Sequence, residues 1–206
     1  MAVQLVTAPT AEPLTLTETK AHLRADFDDD DALIAALIVA AREVAETETR
    51  RALMTQTWKL VLDAFPTNSR SSLTWQTDLD QFKLPFPPLQ SVTSIAYTDL
   101  NATPGTVSSS VYQVDTASEP GRIALNSGQT WPQVSLATIA GVTVTFVAGY
   151  PSAALVPQSI KQGMLLVIGA YYENREDLVV DKQIKSVELP RGASSLFWRN
   201  AVREAS

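Results

Sequence analysis

From Leu33 to Ala45 the apolar residues fall at Leu33, Ile34, Leu37, Ile38, Ala41, Val44 and Ala45, which is a helical period. A helix built this way carries one broad apolar face and needs a partner surface. A second such segment opens at Pro157, whose fixed φ suits a first helical position. There Ile160, Met164, Val167, Ile168, Tyr171 and Tyr172 keep the spacing, and Leu165 and Leu166 widen the apolar surface almost all round. Such a helix is buried on more than one side. The two faces match, so the segments are expected to pack together, with Leu37 among the core positions. Gly163 and Gly169 each cost about 1 kcal/mol of helix propensity relative to Ala, which points to close helix–helix approach.

The start of the first helical zone is written in local chemistry. Thr15-Leu16-Thr17-Glu18 fits a capping box, in which the Thr15 hydroxyl accepts from the Glu18 amide and the Glu18 carboxylate reaches back. The short helix so begun runs through Lys20, Leu23 and Arg24. Asp28, Asp29, Asp30 and Asp31 then precede the Leu33–Ala45 period, where acidic groups favour the positive end of a helix dipole, and Arg50-Arg51 suit the other end.

Between the helical zones the period changes to two. Trp58, Leu60 and Leu62 alternate with Thr57, Lys59 and Val61; Thr93, Ile95 and Tyr97 repeat the pattern, and Val142, Val144 and Phe146 alternate with Thr143 and Thr145. Asn101-Ala102-Thr103-Pro104-Gly105 and Glu119-Pro120-Gly121 are turn sequences, and Asn68–Ser72 reads as a mobile loop. Pro85, Pro87 and Pro88 forbid a central strand and predict a stiff extended lead-in. The expected fold is α+β: a small helical bundle core (14–54 and 157–177), an inserted antiparallel β-rich region (55–150), an N-terminal extension (1–13) and an extended C-terminal arm (178–206).

The charge changes from Lys182 to Ser206. There Lys182, Lys185, Arg191, Arg199 and Arg203 stand against Glu188 and Glu204, in a chain of net charge −6. Leu189-Pro190 and Arg191-Gly192 are expected to prevent a continuous helix, while Leu196-Phe197-Trp198-Arg199 forms an apolar-aromatic anchor. Trp198 has two readings: contact with a partner, where Trp and Arg are favoured, or docking back onto its own domain. Of the other tryptophans, Trp58 is expected in the core and Trp131 as a cap on the sheet.

Chemistry-bearing motifs are few. Cysteine is absent, which removes disulfides, thiolate metal sites and cysteine nucleophiles. His22 is the sole histidine, so no histidine pair, metal cluster or triad can be assembled. Asp26, Asp28 and Asp30 are spaced as in a calcium loop, but Asp31 stands where the turn needs Gly and Leu37 where a bidentate Glu is needed. A solvated helix start is the better account. Glu173, Arg175, Glu176 and Asp177 read as a charged helix end rather than an acid–base pair. No metal, cofactor or catalytic residue is therefore expected. The acidic balance disfavours nonspecific nucleic-acid binding. The longest apolar run, Met164 to Tyr172, is far short of the roughly 20 residues a membrane-spanning helix needs. A soluble protein made and used without export is expected.

Several stretches, taken in order, carry a family resemblance. They are Leu14 to Arg24, Asp28 to Ile34, Leu53-Met54-Thr55-Gln56-Thr57-Trp58, Leu84-Pro85, and Pro87-Pro88-Leu89-Gln90-Ser91-Val92. Val142-Thr143-Val144 with Ala148-Gly149-Tyr150, Val156-Pro157, Tyr172-Glu173-Asn174-Arg175-Glu176 and Leu189-Pro190 continue the series. In this order and spacing the sequence resembles the head–tail connector (adaptor) proteins of long-tailed DNA phages and gene transfer agents, over nearly its whole length. Leu196-Phe197-Trp198-Arg199 departs from a Leu-Leu-x-x-Tyr-Arg type ending.

The resemblance implies a structural protein of the particle neck, present in the host cytoplasm during assembly. It implies a homo-oligomeric ring, commonly of twelve copies, between the portal protein and the next tail or stopper component. DNA would pass through its channel without sequence-specific binding, and no membrane is involved. It further implies portal docking through Leu189, Pro190, Leu196, Phe197, Trp198 and Arg199, and subunit packing through Leu33, Leu37, Met164, Val167 and Tyr171. The rival class is a β-rich receptor- or glycan-binding virion module, in which the strand region carries the function.

Overall fold

The alternation at Val142, Val144, Phe146 and Ala148 buries each of these side chains, with Thr143, Thr145 and Val147 half-buried between them. The computed structural model that shows this describes residues 1–66, 81–174 and 189–202. The expected loop at Asn68–Ser72, Trp75, and Arg175, Glu176, Asp177, Lys182, Lys185, Glu188, Arg203 and Glu204 lie outside the described residues. The chain divides into two units, one from Met1–Pro9 with Thr55–Gly149, the other from Thr10–Met54 with Tyr150–Ser206.

Among its described residues the first unit holds eight strands: β1 (Ala2–Thr7), β2 (Gln56–Leu62), β3 (Gln81–Leu84), β4 (Leu89–Thr98), β5 (Pro104–Thr106), β6 (Tyr112–Asp115), β7 (Gly121–Leu125) and β8 (Val142–Ala148). They form a five-stranded antiparallel sheet in the order β1-β2-β8-β4-β5 and a three-stranded one in the order β3-β7-β6. Trp58 stands opposite Phe146, and Leu60 opposite Val144. Register shifts at Leu89/Ser91 and Val92/Ser94 break the simple alternation in β4, so Ile95 is buried while Thr93 is exposed. The Pro85–Pro88 stretch is the connection between the two sheets, as its missing donors require.

Where the sheets meet, a Cβ on Gly121 of β7 would fall 2.6 Å from the Leu89 side chain of β4. Trp131 is buried rather than capping an exposed sheet. Its ring stacks on Phe65 at 5.4 Å and meets Phe82 edge-on at 5.1 Å, a geometry that suits aromatic quadrupoles. Trp58 is half-buried against Phe86, with ring centroids 4.4 Å apart. The N-terminal extension expected at 1–13 contributes β1, because its uncharged run can add a ladder to β2.

The second unit holds α1 (Leu16–Leu23), α2 (Asp31–Thr49), α3 (Gln158–Glu173) and α4 (Arg191–Trp198). The capping box forms: Glu18 N–H donates to Thr15 Oγ1 at 3.1 Å, and Thr15 N–H to Glu18 Oε2 at 2.9 Å. The helix stops where Arg24 turns left-handed (φ 55°). Pro157 sits one position before α3, at its N-cap, and its carbonyl accepts from Ile160 N–H and Lys161 N–H. Ile34, Ile38, Ala41 and Ala45 of α2 join Ile160, Met164, Val167 and Ile168 of α3 in one core. Each such large side chain contributes about 1.5–3 kcal/mol by leaving water. Leu37 is only half-buried at the margin of that core, because α2 turns Ile34 and Ile38 inward.

Two predictions follow from this packing. Ile38→Asp, placing an unpaired charge at a position 3% exposed, costs several kcal/mol and prevents folding, whereas Leu37→Asp costs far less; thermal melts of both variants check the order. In the β6–β7 connection, Asp115 accepts from Ser118 Oγ (2.6 Å), Arg122 Nε (2.9 Å) and the Ala117 and Ser118 amides, which together hold its carboxyl well below the usual range. A depressed carboxyl pKa adds local stability above the unfolded value of about 3.9 and loses it as pH falls through the folded one. The Ala117 and Ser118 amide signals should therefore hold to lower pH than an ordinary Asp titration, and Asp115→Asn should remove that pH dependence.

Candidate partner-docking surfaces

The C-terminal segment folds back as a helix rather than extending as an arm. Pro190, expected to break a helix, stands at its N-cap (φ −49°), where a missing donor costs nothing. Ala193 and Phe197 are fully buried in the helical core, and Leu189 packs against its edge. Gly163 of α3 makes room for this. A Cβ there would fall 2.5 Å from Phe197 Cε1, so the close approach read from Gly163 is to α4. Gly169 has only an ordinary neighbour, His22 Nε2 at 3.8 Å.

Polar groups then clasp the end of the segment. Asn200 Nδ2 donates to Ser159 Oγ (2.8 Å) and Leu196 O (2.9 Å). Arg51 Nε donates to Asn200 O (2.7 Å), and Val202 N–H to Thr49 O (2.9 Å). Of the six anchor residues, Phe197 is thus internal, and Leu189, Pro190 and Leu196 are half-buried. Trp198, at 65% exposure, and Arg199 face outward, with Arg191 also exposed at the start of α4. Phe197 thus docks onto its own unit, while Trp198 beside it is exposed.

The residues expected to pack between subunits divide in the same way. Met164 and Val167 are fully buried inside their own unit and leave no surface for another copy. The second buried side of α3 is covered by α4, which packs on it as extensively as α2 does. Leu33 is exposed on α2, while Leu37 and Tyr171 are half-buried at the core margin.

Ionic contacts place α1 and the N-terminal segment against α2. Lys20 Nζ bridges Asp28 Oδ1 (2.6 Å) and Asp31 Oδ1 (2.7 Å), and the Tyr172 hydroxyl donates to Asp30 Oδ2 (2.5 Å). The aspartate run is therefore a clamp between helices as well as a dipole-favouring start. Arg42 is buried, with Nε on Glu12 (2.9 Å) and Nη1 on Glu46 (2.8 Å), and Glu46 also accepts from Leu53 N–H (2.8 Å). Burial pushes the Glu12 carboxyl up, against the opposing pull of Arg42. The i,i+4 spacing of Arg42 and Glu46 was visible in the sequence; Glu12, thirty residues away, carried no local signal.

Among the described residues no group of His, Asp or Glu is placed to hold a metal ion, and no helix is long and apolar enough to cross a membrane. A family model described as phage gp6-like head-tail connector protein matches residues 13–120, more than half of the chain. The chain belongs to that family. The match runs from the segment before α1 to the turn before β7, across parts of both units.

Solved structures resemble this connector over its full length. A chain in the neck of an empty gene transfer agent particle, computed with C6 symmetry, is 25% identical with a TM-score of 0.75, covering 100% of this chain and 98% of that one. A chain in the virion of a native gene transfer agent particle (24%, TM-score 0.76) and one in a native neck computed with C12 symmetry (24%, TM-score 0.73) share the fold at the same coverage. No curated protein matches the sequence. The connector's role is structural, in a phage-like particle.

The docking of α4 generates a graded prediction. Phe197→Ala should cost about 3–5 kcal/mol, Gly163→Ala about 1–3 kcal/mol through overpacking against Phe197, and Trp198→Ala no more than about 0.5 kcal/mol. Denaturant titration of the three variants reads the order directly.

Proposed function

We propose that this connector forms a closed ring, of twelve copies, in the particle neck between the portal protein and the next tail or stopper component. The ring extends the channel through which DNA passes without sequence-specific binding. It is made in the host cytoplasm and retained in the neck. The role involves no catalytic step, no cofactor and no membrane. The observation that carries this reading is the full-length likeness to a chain from a gene transfer agent neck, joined to the family match.

In this reading α4 is the portal-facing element. Phe197 fixes the helix from beneath while Trp198 and Arg199 meet the portal, with Leu189, Pro190 and Leu196 shaping the margin. Trp and Arg are the side chains that most often dominate an interface, since each couples large area to directed polar contact. Repetition around a ring raises the effective concentration of every contact after the first, so a modest single-copy affinity suffices. Leu33, with Leu37 and Tyr171 at the core margin, lies on the side of the unit offered to a neighbouring copy. A net charge of −6 keeps a DNA conduit from gripping its cargo.

The test is made on particles. Trp198→Ala and Arg199→Glu, both folded by their melting curves, should leave DNA-filled heads that carry less of the connector and fail to join tails. Heads that retain either variant at normal copy number would remove α4 from the portal contact. Necks in which the chain is found as single copies would remove the ring.

A further inference from the structure

From Ala2 to Leu5 the β1 strand is an unguarded sheet edge, with a register shift only beyond Leu5. It pairs only with β2, and its outer backbone groups have no strand partner among the described residues. Five of its six residues are exposed, Leu5 and Val6 at about half their surface, and no charged side chain occurs from Met1 to Ala11. Edge strands that must stay single are kept short, charged, bulged or proline-blocked, since a bare row of N–H and C=O groups templates another strand. The other end of the same sheet follows that rule, because β5 has three residues and opens on Pro104, which has no donor.

We infer that β1 is an intersubunit strand: in the ring, its free edge pairs with the free edge of β6 in the next copy. This rests on the ring reading above and names the contact that builds it. A rotational ring larger than a dimer needs two different surfaces on each copy, so β1 cannot pair with β1, which would close at two. Of the remaining edges, β5 is blocked, and β3 faces a cavity lined by Met1, Leu60 and Leu62 of its own unit. β6 is four residues long and proline-free, with Gln113 and Val114 exposed. Its one carboxylate, Asp115, is turned onto its own loop by Ser118 and Arg122. Main-chain bonds then supply the affinity, and Leu5 against Val114 supplies apolar contact across the pair.

The chain contains no cysteine, so introduced thiols report cleanly. Leu5→Cys and Val114→Cys, carried on separately tagged copies and co-assembled in necks, should yield on mild oxidation covalent dimers containing one copy of each. Val6→Lys, which places a charge on the exposed edge, should abolish the ring while the monomer keeps its melting temperature. Intact rings without mixed dimers, rings that tolerate Val6→Lys, or homodimers from Leu5→Cys alone would each overturn the inference and leave the ring itself standing. Necks that hold this chain without any ring would instead sink the function proposed above.

Discussion

The constraint from which the helical unit follows is that α3 is apolar almost all round and has to be covered on two sides at once. Ile160, Met164, Val167 and Ile168 are fully buried, and no single neighbouring helix can enclose a surface that wide. α2 takes one side with Ile34, Ile38, Ala41 and Ala45. The other side falls to α4 through Ala193 and Phe197, and Gly163 is the cost α3 bears for that approach. Three segments far apart in sequence are thereby tied into one core. The strand unit takes the sequence between them, Thr55–Gly149, together with Met1–Pro9.

That arrangement explains where the charged groups went. Once α2 is held against α3, its two ends are pinned by side chains that local pattern would leave in solvent. Lys20 holds Asp28 and Asp31 at one end; Arg42, with Glu12 and Glu46, and the Asn200–Arg51 contact secure the other. Exposed pairs such as Lys20–Asp28 contribute little each. The Arg42 cluster is different, because a buried guanidinium is tolerated only while its carboxylates remain, so it fixes the path of residues 10–14 more than it adds stability.

The local features were legible in the sequence. The capping box at Thr15 and Glu18 and the alternation of β8 are each decided by near neighbours and formed as expected, whereas the stretch before Leu89 bends, with Phe86 left-handed (φ 60°), instead of running extended, and Pro104-Gly105 open β5 just after the turn at Asp99–Ala102. What was hidden was non-local. Leu33, Ile34, Leu37 and Ile38 all lie on a helical period, and only the position of α3 selects Ile34 and Ile38 as the inward pair. Pro190 and Gly192 have the local signature of breakers, yet the amphipathic α4 begins between them, with Pro190 at its N-cap. β1 escaped notice because its ladder partner lies fifty residues away and its side chains bury almost nothing.

In the portal contact proposed for α4, a helix formed in advance changes the physics of attachment. A free arm that orders on contact gives up the conformational entropy of every residue it fixes, roughly 1–2 kcal/mol per backbone residue. Residues 191–198 are already helical and already anchored by Phe197, so Trp198 and Arg199 are offered from a fixed backbone. Binding then restricts little beyond two side chains, and preorganisation of this kind leaves more of the contact energy available to the complex. Phe197, which touches no partner in this scheme, would then set the strength of attachment as firmly as the tryptophan beside it.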